Sequence, residues 1–156
     1  MAISMDDIKK LREATSARIM DCKKALEKAD GDFDKAVKIV EEKGLARAEK
    51  NSDRETKEGY IASYVHNTGK VASLVEIVCE TDFVAKNEEF TSMASDIAMH
   101  VTAMNPATVE ELLEQEFVRD ASTTIAMMIK ALSGKIGEKM ELRRFVRFEV
   151  GAEIAE

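Results

Sequence analysis

The sequence predicts an α+β protein: an amino-terminal domain of three short helices, a charged linker, then a small antiparallel three-stranded sheet packed with helices. Three observations carry this expectation. Apolar residues recur at helical spacing in three successive short segments before residue 44. Residues 45–58 are strongly charged and almost free of large apolar side chains. The remainder alternates strand-like runs with amphipathic helical ones. The expected domains are residues 1–44, a linker over 45–58 and an α+β core over 59–156.

Ser4 and Asp7 predict a capping box that opens the first helix, with Ile8 and Leu11 inward. Ile19, Cys22, Leu26 and Ala29 form the stripe of the second, and Phe33, Ala36, Val37 and Val40 that of the third. Gly31 between Asp30 and Asp32 marks a turn with a fresh N-cap, and Gly44 is placed to end the third helix. The linker follows, helical at most in its first part. Two strands, 60–66 and 71–79, flank Asn67-Thr68-Gly69-Lys70, a sequence suited to a tight hairpin. Asn87 then caps a helix whose inner face is Phe90, Met93, Ala94, Ile97, Ala98 and Val101, and Asn105-Pro106 ends it.

Val109, Leu112, Leu113 and Phe117 suggest a further helix, and Ile125, Met128, Ile129, Leu132 and Ile136 another. In the closing strand Met140, Leu142, Val146, Phe148 and Val150 fall on one face, interrupted by Arg144. Glu141, Arg143, Phe145, Arg147 and Glu149 fall on the other. No internal repeat or low-complexity segment is present.

With 156 residues and 45% hydrophobic content, the chain has material for one good core and a small satellite domain. A formal net charge of -7 disfavours direct nucleic-acid binding, and no local basic patch offsets it. There is no apolar run of roughly 18 residues and no signal-peptide pattern at the start, so neither membrane insertion nor export is expected and the expected location is cytoplasmic. Cys22 and Cys79 lack paired spacing and read as reduced thiols. Cys79 with His66 or His100 carries no nucleophile signature, and these residues offer zinc no paired-ligand spacing. Neither an enzyme active site nor a cofactor site is expected.

The informative stretch is Cys79-Glu80-Thr81-Asp82-Phe83-Val84-Ala85-Lys86-Asn87. It joins an apolar strand to an amphipathic helix, yet it holds Phe83 and Val84 beside Asp82 where polar residues are usual. Two readings of Phe83 are open from the residues alone: a side chain folded back on the core, or an exposed wedge that enters a partner. Met20 poses a similar choice, since it lies about 100° round the helix from Ile19 and off the inward stripe.

This run resembles the central signature of elongation factor Ts, the exchange factor that releases GDP from elongation factor Tu. A second match is similar to that family's amino-terminal signature: Leu11-Arg12-Glu13-Ala14-Thr15-Ser16-Ala17-Arg18-Ile19-Met20-Asp21-Cys22-Lys23-Lys24-Ala25-Leu26. Likeness continues through 95–101 and 142–151, so it covers most of the chain. The resemblance implies a ubiquitin-associated-like fold for the first domain and a guanine-nucleotide exchange function. It implies a wedge of Thr81, Asp82, Phe83 and Val84 that disturbs the Mg²⁺ and phosphate site of GDP-bound and nucleotide-free elongation factor Tu. It also implies contacts through Arg12, Ile19 and Met20, and through His100 in the core. Ser16 and Arg18 depart from the family's glycines, which would cost on the order of 1 kcal/mol wherever positive φ is needed. The alternative function is an adaptor whose helical domain binds a ubiquitin-like or helical partner, but such a protein has no use for a wedge.

Longer family members have two core halves and a protruding hairpin, whereas this chain resembles one half with too little sequence between Asn105 and Ser133 for a long hairpin. A three-stranded sheet covered on one side leaves a face open, with Tyr60, Tyr64, Phe145 and Phe148 as candidates to make it adhesive. The expected assembly is a homodimer through the sheets.

Overall fold

The computed structural model describes residues 2–154; residues 1, 155 and 156, at the ends of the expected domains, lie outside it. Helix α1 (Met5–Thr15) begins at a reciprocal capping box, where Asp7 N–H donates to Ser4 Oγ and Ser4 N–H donates to the Asp7 carboxylate, each at 3.1 Å. Helices α2 (Ile19–Lys28) and α3 (Phe33–Lys50) follow, the latter capped by Asp32, whose side chain accepts from Lys35 N–H. Ile8, Leu11, Cys22, Ala25, Leu26, Ala29 and Ala36 close a small core of their own. Ile19 does not join it. As the first residue of α2 it points back past the end of the stripe and is 47% exposed, which corrects its inward assignment.

The chain then forms β1 (Glu58–Val65), β2 (Val71–Cys79), α4 (Asp82–Ala85), α5 (Glu88–Met104), α6 (Val109–Glu114), β3 (Glu116–Phe117), β4 (Asp120–Thr124), α7 (Ile125–Ile136) and β5 (Glu141–Glu149). The main sheet is antiparallel with β2 central, in the order β1-β2-β5, and β3 and β4 make a separate two-stranded hairpin. The α+β expectation is met. Helix α5 lies on one sheet face, with Phe90, Ala94, Ile97, Ala98 and Val101 packed on Ala62, Val75 and Ile77. At the buried contact Ser73 Oγ donates to Ala98 O at 2.6 Å, and Thr102 Oγ1 donates toward Ser73 Oγ at 2.8 Å. Two polar side chains thus lock the helix on the sheet without leaving an unpaired group.

Phe117 is not helical. Gln115 turns extended at the end of α6, its peptide carbonyl accepting from Ile125 N–H, so the chain enters β3 and Phe117 is buried there. A second correction concerns β5. Glu76 faces Arg144 but the neighbouring Ile77 faces Leu142, so Arg143 is the extra residue of a β-bulge. One inserted residue reverses the alternation beyond it. Leu142 is inward, but after the bulge it is Phe145 that packs on the core, while Val146 and Phe148 turn to the other face. Tyr64 likewise packs on the covered side. The open face therefore consists of Ile61, Val65, Leu74, Val146 and Phe148 rather than Tyr60, Tyr64 and Phe145.

Gly44 does not end the third helix; α3 continues to Lys50 and closes at Asn51, so the expected linker is helical at its start. The reason is tertiary. A Cβ on Gly134 of α7 would lie 1.9 Å from the Gly44 carbonyl oxygen, so the two helix backbones touch where neither carries a side chain. Around this crossing Arg47 Nη1 donates to Gly134 O at 3.3 Å and Lys130 pairs with Glu49 at 2.9 Å. Asp21 of α2 takes both Lys43 and Arg47, and the Lys43 hydrogen bond is the main reason its carboxyl is held below the ordinary range. The three-helix module is thus tied to the core through the second half of α3.

At the corner between α1 and α2, Ser16 has φ 53°, the left-handed region, whereas Arg18 at φ -66° is unstrained. Of the two departures from glycine, only Ser16 is strained.

Two outcomes follow for stability. Gly134→Ala should lower it by about 1–3 kcal/mol, because the added methyl must separate α3 from α7, as read by chemical denaturation; an unchanged midpoint would show that the crossing is not constrained. Ser16→Gly should raise stability by about 0.5–1 kcal/mol, the left-handed penalty less glycine's greater unfolded freedom, as read from the thermal midpoint.

Candidate functional site

Strand β2 ends at Cys79, and the next residues form one helical turn rather than an open loop. Thr81 is its N-cap: extended at φ -124°, ψ 156°, with Oγ1 accepting from Val84 N–H at 3.4 Å. Within the turn two exposed residues, Asp82 and Phe83, are followed by two buried ones. Val84 and Ala85 are buried in the main core, while Phe83 is 83% exposed. A ring so exposed caps no core, which removes the folded-back reading. Among the described residues the Asp82 carboxylate, in the first helical position, meets only Lys86, at 3.6 Å and with both side chains largely in solvent. Such a pair holds its carboxylate weakly, and a partner can take it over at little cost.

The turn is supported from below. Glu138, between α7 and β5, accepts from the N–H groups of Glu80 and Thr81 at 3.2 and 3.0 Å and from Thr81 Oγ1 at 2.7 Å. Glu80 reciprocates, its carboxylate accepting from Lys139 N–H at 2.6 Å and from Arg54 Nη1 at 3.5 Å. Cys79 Sγ donates to Thr81 O at 3.3 Å. Burial first, and the Glu138 charge second, push the Cys79 thiol up to about 11. It stays protonated, packed and inert as a nucleophile. None of these supporting residues except Cys79 and Glu80 lies in the signature, and Glu138 is 57 positions from Thr81, so no local pattern reveals it.

The amino-terminal candidates form a second exposed group. Arg12 sits at the end of α1, and Ile19 and Met20 at the start of α2; all three are exposed, Met20 at 58%. They share the corner that carries the strained Ser16. Exposed apolar side chains on neighbouring positions are surface that a partner can desolvate.

His100 behaves differently. Its ring is wholly buried; Nδ1 accepts from Val118 N–H at 3.1 Å, so Nε2 carries the proton and faces Gln115 Oε1 at 2.9 Å. Both nitrogens are committed, and Phe117 stacks obliquely nearby. His100, expected as a partner contact, is thus engaged within the chain, where it holds the β3–β4 hairpin on α5. Among the described residues no group of three or more His, Cys, Asp or Glu is arranged to hold a metal, and no helix is long and apolar enough to cross a membrane.

A family model described as "Elongation factor TS" matches residues 80–156, which include the exposed turn and the Glu138 beneath it. Among similar curated proteins, the elongation factor Ts of Herpetosiphon aurantiacus is 41% identical over 197 residues, covering 97% of this chain and all of the relative. That of Fervidobacterium nodosum is 41% identical over 196 residues with the same coverage. Both alignments are longer than this chain, so both relatives carry internal residues that it lacks. The elongation factor Ts of Clostridium kluyveri is 45% identical over 154 residues, 99% of this chain but 50% of that relative. Full-length likeness at this identity, together with the exposed aromatic turn, establishes that the chain belongs to the elongation factor Ts family, proteins of translation elongation.

Proposed function

We propose that this protein promotes GDP release from elongation factor Tu by inserting Phe83 into it. The observation that carries the reading is the exposure of Phe83 on a turn whose backbone is held from beneath. An aromatic ring kept in water costs free energy, which burial in a partner returns at about 1.5–3 kcal/mol. Asp82, free to exchange its weak partner, would bond groups that support the Mg²⁺ and phosphate site. Any factor that binds the deformed GTPase more tightly weakens its hold on nucleotide by the same coupling free energy, and the reverse holds for rebinding. No covalent chemistry is required of either residue, and the protein acts as a binding catalyst rather than as an enzyme of bond change.

The domain division supports a two-point grip, with Arg12, Ile19 and Met20 of the 1–44 module as one contact and the Thr81–Val84 turn of the 59–156 core as the other. The segment 45–58 joins them, and its helical start on α7 limits their relative motion. A soluble cytoplasmic setting, without nucleic acid or membrane, fits this role.

The same reading includes a homodimer. The open sheet face carries Ile61, Val65, Leu74, Val146 and Phe148, with Phe148 72% exposed, and Glu76 at one end held between Arg143 and Arg144. A contiguous apolar sheet face of this kind is suited to an isologous pairing in which each copy covers the other.

Phe83→Ala should reduce acceleration of fluorescent GDP release from elongation factor Tu at least about tenfold, as expected for loss of an anchor residue, with cooperative unfolding retained. Asp82→Ala should act in the same direction, and Met20→Ala should weaken binding by calorimetry. GDP release unaltered by loss of the Phe83 ring would refute the wedge. Light scattering at micromolar concentration should return about twice the 17.3 kDa chain mass, and Phe148→Asp should return a monomer; a wild-type monomer active at full rate would refute the pairing.

A further inference from the structure

The exposed turn cannot hold its own shape. A single helical turn is far below the length at which a helix persists in water, and its most prominent side chain, Phe83, is largely free of protein contact. Its geometry must come from the groups beneath it. Val84 and Ala85 anchor the far end in the core, but the near end, where the chain leaves β2, is fixed by polar contacts, three of which converge on one side chain. Glu138 takes two successive backbone N–H groups, of Glu80 and Thr81, on one carboxylate oxygen and the Thr81 hydroxyl on the other.

We propose that Glu138 is the positioning residue that presents the Thr81–Val84 turn, and with it Phe83, to the partner. The inference rests on the exchange-factor reading for its consequence, though not for its geometry. The carboxylate has a specific advantage. A hydroxyl has one hydrogen, and an acceptor-only group at 2.7 Å claims it, which leaves the Thr81 oxygen lone pairs to accept from Val84 N–H and cap the turn. An amide in the same place would keep the two backbone contacts but aim an N–H at Thr81 Oγ1, in competition with the cap. Glu138 is itself held: Ser133 Oγ donates to its carbonyl at 2.6 Å, and the preceding Gly137 carbonyl accepts from Asn51 Nδ2 at 3.5 Å and Arg54 Nη1 at 3.4 Å. Through Asn51 and Arg54 the end of α3 bears on the same short segment, so the docking of the first domain and the pose of the wedge share a support.

The test combines amide hydrogen exchange with the kinetics of fluorescent GDP release from elongation factor Tu, for the full-length wild type, E138A and E138Q. Without the carboxylate the competent pose becomes a minor population, and the apparent affinity falls by that fraction. In E138A the Glu80 and Thr81 amides should exchange about tenfold faster and KM for acceleration should rise about tenfold, with kcat at saturation retained and α5 amides unchanged. E138Q should fall between E138A and wild type in both readouts. Unchanged exchange at Glu80 and Thr81 in E138A overturns the proposal. Faster exchange spread equally over α5, as a merely structural role requires, also overturns it, as does a faster turn with KM unmoved. A wild-type protein that leaves GDP release unaccelerated defeats the exchange-factor reading instead, and the amide measurement then decides whether Glu138 sets the turn.

Discussion

The backbone contact between Gly44 and Gly134 is the constraint on which the rest of the arrangement depends. Helix packing normally keeps axes apart by the thickness of two side chains; here both positions lack one, and the carbonyl of Gly44 occupies the space where a Cβ of Gly134 would be. This close approach brings Arg47 to the Gly134 carbonyl and Asn51 and Arg54 to the Gly137 carbonyl. The small amino-terminal core of Ile8, Leu11, Cys22, Leu26 and a few alanines is seated by these contacts on the larger one. Two exposed surfaces, at the α1–α2 corner and at the Thr81–Val84 turn, are then carried on one framework.

The sheet distributes its two faces by a different device. Its covered face is settled by α5 and by the buried Ser73–Thr102 contact. Its open face is decided by the single extra residue at Arg143. Had β5 kept strict alternation, Val146 and Phe148 would lie under the helices and Phe145 in solvent. The bulge exchanges them, and places Arg143 and Arg144 on either side of Glu76, whose carboxyl they hold below its usual range, Arg144 most of all. A strand that seems to present one apolar face therefore serves the core with one half and the open face with the other.

Much of this was legible in the chain. The capping box at Ser4, the N-caps at Asp32 and Asn87 and the stop at Asn105 are local hydrogen-bond patterns, and local chemistry determines them wherever the segment is placed. The apolar stripe of α5 likewise determined which face of that helix is buried. The exposed turn was legible as a sequence anomaly, an aromatic where polar groups are usual, and Met20 as a position off the inward stripe of α2. Even the bulge left a trace, in the Arg144 that interrupts an otherwise apolar alternation.

What the sequence could not decide was whatever depended on atoms far along the chain. Gly44 reads as a helix terminator because isolated glycine favours that role, but Gly134, in another element, converts it into a packing site and extends the helix. Phe117 fits a helical stripe until Gln115 commits its side chain to His100, and His100 reads as available until Val118 claims its other nitrogen. Whether Phe83 faces solvent depends on which neighbours, Val84 and Ala85, the core accepts. Sequence by itself determined the local hydrogen bonds and the periodicities, because these need only neighbours within a few residues. Tertiary structure alone decided exposure, register and the Glu138 support, because each is set by groups that meet only once the chain has folded.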